Sequence, residues 1–245
     1  MSFDLPGTGV LRPRDDLDVR PAVVVYSSRL VGEILSQTSD NVMRRIPWSP
    51  APGVVHLDNS RLATVVGPAI GSSLAVLSLE PLLRSGAEHV YCIGTGGLVA
   101  APGIDGAPGD VVLACGAISE EGTSRCYGHD GRDEIPVPSP PSPLKKAIAT
   151  ESQLTVRDGL IWTTDAPFRE TWEKCLAMSE RGVLAVEMEF AALAYVSSCY
   201  GVPITGLFVI SDVLSSDGWR SGFREKSVKR SLRSICSALW TSLVG

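Results

Sequence analysis

Residues 186–212 read VEMEFAALAYVSSCYGVPITGLFVISD, and the order of elements in this stretch decides the class of fold. Glu187 to Tyr200 is rich in alanine and reads as a helix. Gly201 closes it, at the place where a residue without a Cβ most easily ends a helical turn. Pro203 to Ile210 follows as a continuous apolar run, the pattern of a strand buried on both faces, and it ends in Ser211-Asp212. A helix leading straight into a buried strand is the building block of an α/β protein.

The same rhythm extends outward in both directions. Upstream, Ala22-Val23-Val24-Val25-Tyr26 reads as a buried strand, and Gly53–His56 and Leu62–Val66 as a strand pair joined by Asp58-Asn59-Ser60. Ser72-Ser73 is placed to cap a helix that carries Leu74 and Leu77 and ends near Gly86. His89 to Ile93 is a strand expected to open into a turn at Gly94-Thr95-Gly96-Gly97. Asp110–Cys115 and Leu154–Trp162 are extended, and Phe168–Arg181 is expected to be helical. Downstream, Val228, Leu232, Ile235 and Leu239 fall on one face of a terminal amphipathic helix. The expectation is a mostly parallel or mixed sheet covered on both faces by helices. The proline-rich run at 136–143 reads as a surface loop inside one domain spanning 1–245, since strand and helix patterns resume beyond it unchanged.

Composition narrows the function. The 245 residues are 44% hydrophobic and 20% charged, ordinary for a soluble globular protein. A net charge of −5 argues against a general nucleic-acid binder, whose footprint is basic. No apolar run reaches the ~20 residues of a membrane span. Six cysteines without a C-x-x-C pair, and a start without a basic-then-apolar leader, point to reduced thiols in a cytoplasmic protein. Three scattered histidines give no metal-ligand spacing, and neither a metal nor an organic cofactor is expected.

Ligands of such folds gather where strands end, which selects three places. At Gly94-Thr95-Gly96-Gly97, a glycine turn with one hydroxyl suits an oxygen-rich ligand; the plainer reading is a tight turn. At Val186-Glu187-Met188-Glu189, two carboxylates two residues apart cannot share one helical face, yet the flanking residues demand burial. A buried carboxylate needs hydroxyl or N–H partners, and the two hydroxyls of a ribose qualify. Asp212, ending a buried strand, reads equally as an acid–base group or as an N-cap.

Taken together and in order, these motifs resemble the nucleoside phosphorylase family of hexameric purine nucleoside phosphorylases, uridine phosphorylases and methylthioadenosine nucleosidases. Pro108-Gly109-Asp110-Val111-Val112 and the segment from Trp162 through Thr164, Phe168 and Glu170 to Thr171 extend the resemblance to nearly the whole chain from Pro21. It implies a central, partly barrel-like mixed sheet and an enzyme that breaks the N-glycosidic bond of a nucleoside. By the same resemblance, Glu189 holds the ribose hydroxyls, with Glu187 beside it and Met188 against the sugar. Thr95 and Gly96 lie near the sugar and the nucleophile, and Thr164 and Phe168 line the base pocket. Asp212 matches the acid that protonates a purine at N7, which tilts the substrate toward a purine or purine-like base.

The chain departs from the family at the phosphate site. Tyr26-Ser27-Ser28-Arg29 stands where the family carries a Gly-Asp-Pro-x-Arg-like loop, and Cys92 stands where it carries an arginine. A phosphate dianion needs cationic or N–H partners. Ser28, Arg29 and Arg45, with Arg44 beside it, are the nearest replacements. Phosphorolysis with phosphate as co-substrate is the family default and hydrolysis the alternative; an inactive nucleoside-binding relative is disfavoured by the presence of Glu189 and Asp212 together. The resemblance also implies a homo-oligomer with sites near subunit interfaces.

Overall fold

Two long strands, β5 (Val90–Val99) and β10 (Ile204–Ser215), organise the molecule. They run parallel, with Ile204 opposite Val90 and Leu214 opposite Val99. A computed structural model describes residues 22–25, 41–42, 54–57, 61–151 and 153–244. Among these, β10 also pairs antiparallel with β6 (Val111–Glu120), β6 parallel with β8 (Val156–Thr164), β8 parallel with β9 (Val183–Glu187), and β9 antiparallel with β5. The five strands therefore close on themselves as a mixed barrel. A wing leaves it through β1 (Ala22–Val25), parallel to β5. It continues through β4 (Arg61–Val66), β3 (Val54–Leu57) and β2 (Asn41–Val42). Two short strands, β7 (Ile135–Pro136) and β11 (Gly218–Ser221), pair with β6 and β10.

Helices cover the sheet on both sides, as strands buried on both faces require. α1 (Ser72–Arg84) and α5 (Phe190–Cys199) bury Leu79, Leu82, Phe190 and Leu193 against one face. Phe190 meets Phe208 of β10 edge to face at 5.1 Å, an arrangement that adds about 0.5–1.5 kcal/mol to the area the rings bury. After the short α2 (Thr123–Cys126), α3 (Ser142–Thr150) and α6 (Lys226–Val244) cover the other face through Leu144, Ile148, Val228, Leu232, Ile235 and Leu239. α4 (Trp172–Glu180) closes a third cluster around Trp162 and Val183. Of the run at 136–143, Pro136 belongs to β7 and Ser142 opens α3, with residues 137–141 connecting the two.

Several boundaries differ from the sequence reading, each for a physical reason. The Ala-rich helix begins at Phe190, not Glu187, because Val183–Glu187 is β9 and its β-branched residues complete the barrel. Gly94–Gly97 is not a turn; β5 runs through it to Val99, held on both sides by neighbouring strands. β10 likewise continues past Asp212 to Ser215, so Asp212 is not an N-cap. Phe168 lies in a 3₁₀ turn (Pro167–Arg169), and the helix after it starts only at Trp172, capped by the Thr171 side chain. The cap of α1 is Gly71, and Ser72 bonds elsewhere. No disulfide joins any of the six cysteines, all of which are among the described residues. Among the described residues no helix is long and apolar enough to cross a membrane, and no cluster of His, Cys, Asp or Glu could hold a metal ion.

Candidate active site at the strand forks

Both long strands change partners midway, and the changes fall side by side. β5 pairs with β1 through Val90–Ile93, then with β9 at Gly97 and Leu98. β10 pairs with β6 through Leu207–Val209, then with β11 from Asp212 onward, with a bulge between Ile210 and Asp212. Where a sheet forks, strand ends separate and leave a crevice, the usual place for a ligand in α/β proteins. A cavity of about 1050 Å³ opens there, at the upper end of the ~300–1,000 Å³ typical of small-molecule sites.

The glycines of β5 make the crevice fit. A Cβ on Gly96 would stand 3.0 Å from the Val186 carbonyl oxygen, and one on Gly97 would stand 2.5 Å from Leu214 Cδ1. Close approach of three strands, rather than a turn, is the reason for glycine here. Thr95, Gly96 and Gly97 all line the cavity.

The corner between β9 and α5 supplies the next wall. Glu187, 7% exposed, accepts hydrogen bonds from the backbone N–H groups of Glu189 (2.8 Å) and Phe190 (2.9 Å), and from the Thr163 hydroxyl. Thr163 in turn accepts from the Ala191 N–H at 2.8 Å. A carboxylate so placed satisfies the orphan donors of a helix N-terminus and its dipole. Glu187 thus borders the cavity, while its oxygens anchor the corner. Glu189, 6% exposed, lines the cavity beside Met188, with Oε1 accepting the Gly71 N–H at 2.6 Å. Gly71 donates from a left-handed conformation (φ 87°) at the start of α1, and Ser72 Oγ donates to the Met188 carbonyl at 2.8 Å. The corner is therefore gripped from within by Glu187 and from outside by α1. Burial pushes both carboxyls up, and the charge of Glu189 pushes Glu187 further.

Asp212 lines the same cavity from β10. Its Oδ1 accepts from Ser211 Oγ at 2.6 Å and its Oδ2 from the Trp219 indole N–H at 2.7 Å. Trp219, on β11 opposite Leu214, is 63% exposed at the cavity mouth, and Phe168, 100% exposed, also lines it. Glu170, just past the 3₁₀ turn, also lines the cavity. Burial first, then the charges of Asp212 and Glu120, push its carboxyl up to about 7 against the opposing pull of Lys174. Lys174 is ion-paired with Glu120, whose other oxygen accepts from the Trp162 indole at 3.0 Å.

The cavity therefore brings together Thr95, Gly96, Phe168, Glu187, Met188, Glu189 and Asp212. Thr164 is not among them; it is 2% exposed and its hydroxyl accepts the Ala166 N–H, closing the turn after β8. Cys92 is fully buried in the core cluster under α1 and does not line the cavity. Ser28, Arg29, Arg44 and Arg45 lie outside the described residues. Sequence reading missed Trp219 and Arg224 as lining residues and did not single out Glu170. Glu170 stands inside the segment quoted for the base pocket, while an exposed tryptophan on a four-residue strand leaves no pattern to detect.

Comparison with known proteins agrees with this architecture. Residues 50–243 match the model of the phosphorylase superfamily. The purine nucleoside phosphorylase (DeoD-type) of Bacillus cereus strain ZK / E33L is 31% identical over 152 residues, which are 61% of this chain and 63% of that protein. The chain thus matches less than two thirds of the length of that relative. Among solved structures, purine nucleoside phosphorylase from Toxoplasma gondii in complex with immucillin-H superposes with a TM-score of 0.74 at 16% identity, covering 98% of this chain and 97% of that one. A futalosine hydrolase mutant of Helicobacter pylori strain 26695 does so at 0.72 and 19% identity, covering 92% and 99%. The chain belongs to the phosphorylase superfamily, and its closed mixed barrel is the fold of these structures.

Proposed function

We propose that the protein cleaves the N-glycosidic bond of a purine or purine-like nucleoside by phosphorolysis, giving free base and (deoxy)ribose 1-phosphate. The observation that carries this reading is that Glu189 and Asp212 line one cavity, each held by named donors. Breaking the C1′–N bond builds positive charge on the sugar and negative charge on the departing base. Glu189, with Oε1 fixed by Gly71, offers Oε2 to the ribose 2′- and 3′-hydroxyls and keeps the sugar in place as its charge develops. Met188 packs on the sugar, with Thr95 and Gly96 beside the reacting carbon. Phe168 and Trp219 give the base aromatic surface, and Asp212 is the acid that meets it as it leaves. The names of the relatives support a nucleoside substrate, and that of the Bacillus cereus protein a purine. No metal or organic cofactor is needed for these steps.

Hydrolysis is the second reading, and a specific observation favours it. The described lining contains the carboxyls of Glu170, Glu187, Glu189 and Asp212 against the lone cation Arg224. Such a wall repels phosphate unless Ser28, Arg29, Arg44 or Arg45 answers it, whereas water needs no anion clamp. Incubating nucleosides with saturating phosphate and separating sugar 1-phosphate from free sugar tests the two readings. Phosphorolysis predicts sugar 1-phosphate; free sugar alone contradicts it.

A further inference from the structure

Trp219 is largely exposed, yet its indole N–H is held in one place. β10 and β11 form a hairpin whose register sets Leu214 opposite Trp219 and Asp212 opposite Ser221. Asp212, Leu214 and Trp219 therefore share one face of the ribbon, with Trp219 diagonal to Asp212. Diagonal neighbours lie roughly 7–8 Å apart, within reach of an aromatic side chain. The indole closes that gap and donates to Asp212 Oδ2 at 2.7 Å. The hairpin is pinned at both ends. At the turn, Ser215 Oγ donates to the Gly218 carbonyl at 3.2 Å and accepts the Asp217 N–H at 3.3 Å. At the far end, the Gly222 N–H donates to the Ser211 carbonyl at 2.8 Å. A Cβ on Gly222 would stand 2.4 Å from Pro108 Cγ, so this end packs too closely for a side chain.

Ser211 Oγ donates to the other oxygen, Oδ1, at 2.6 Å. Donors from two strands thus fix both the place and the plane of the carboxyl. A carboxyl oxygen takes more than one hydrogen bond, so this grip leaves room for a ligand. We propose that Trp219 is the positioning residue of Asp212: its N–H aims the carboxyl at the departing base, a task separate from the aromatic surface its ring offers. The proposal rests on the nucleoside-cleaving reading above. Trp219 neither gives nor takes a proton; it acts only through Asp212. Such aim matters, since a displacement of about 1 Å at a reacting group lowers a rate by as much as 10²-fold.

Kinetics of the full chain test this on two substrates, inosine and p-nitrophenyl riboside, whose leaving group departs without a proton. Trp219→Phe keeps a ring at the cavity mouth and removes the donor. Its kcat on inosine should fall by about tenfold or more, with the loss in kcat exceeding any change in KM. The loss on inosine should be about tenfold greater than the loss on p-nitrophenyl riboside, which needs no aimed acid. Replacing Trp219 by 3-benzothienylalanine, which puts sulfur in place of the N–H at nearly the same shape, should give the same split. In an Asp212→Asn background, Trp219→Phe should cost little more on inosine, because the group it aims is gone. Equal losses on both substrates, a loss carried by KM alone, or full additivity with Asp212→Asn overturns the positioning role and leaves the nucleoside reading intact. So does a folded Trp219→Phe variant with wild-type kcat on inosine. A wild-type protein that releases no base from any nucleoside overturns both.

Discussion

Asp212 lies directly across the β5–β10 seam from Gly97, and the Cβ that Gly97 lacks would stand 3.0 Å from Asp212 Oδ2. The acid of the site therefore has its place because its neighbour has no side chain. Gly97→Ala crowds that carboxylate and Leu214 together. Overpacking of this kind costs about 1–3 kcal/mol, so a modest fall in Tm is expected. Activity should fall by about tenfold or more, the equivalent of ~1.4 kcal/mol of lost transition-state stabilisation. Melting curves and steady-state kinetics on the one variant check both; full activity would show that Asp212 tolerates displacement.

Glu189→Gln preserves volume and still offers an oxygen to the Gly71 N–H. It removes the charge that strengthens hydrogen bonds to the ribose hydroxyls. The expected loss in kcat/KM is roughly 10²-fold, equivalent to about 2.7 kcal/mol, with Tm close to wild type. A folded variant with near wild-type kinetics would remove Glu189 from the sugar site.

Asp212→Asn keeps the shape and an acceptor for Trp219 but cannot pass on a proton. On purine nucleosides the rate should fall by about 10²–10⁴-fold, while p-nitrophenyl riboside should be nearly spared. Equal losses on the two substrates would point to a structural task for Asp212 at the β10–β11 junction.

His89 gives a pH dependence of stability rather than of rate. Its ring stacks on Tyr91 at 4.3 Å, its Nε2 bonds to Thr205 Oγ1 at 2.9 Å, and burial lowers its pKa from 6.5 to about 4. Between those values the unfolded chain binds a proton that the folded chain refuses, so stability falls as pH drops from 6.5 towards 4. Above that window neither form is protonated and the effect vanishes. His89→Gln, which keeps a partner for Thr205, should flatten this part of the acid limb in urea unfolding. An unchanged slope would assign the limb to other groups.

The strand and helix pattern was legible because buried strands and amphipathic helices carry their own periodicity: Val228, Leu232, Ile235 and Leu239 all lie in the core as their spacing requires. What the pattern hid was the point where an element changes neighbours. Gly94–Gly97 read as a turn because glycine in a strand normally signals one, whereas here it marks two strand exchanges packed too closely for side chains. Glu187 and Glu189 read as helical for a related reason, since a carboxylate that caps a helix from the preceding strand looks like part of its first turn. The conflict between two acids and an apolar setting was nonetheless a true signal of the corner. Closure of the barrel through the β5–β10 pairing depends on contacts between distant segments that no local pattern encodes.

The most direct measurement is release of free base. Wild-type protein and Glu189→Gln are incubated side by side with a panel of purine and pyrimidine nucleosides, with and without phosphate, and the products are separated by chromatography. The account predicts free purine base from at least one nucleoside with wild type and roughly 10²-fold less with the variant. No base from any nucleoside, or equal release by both proteins, would contradict it.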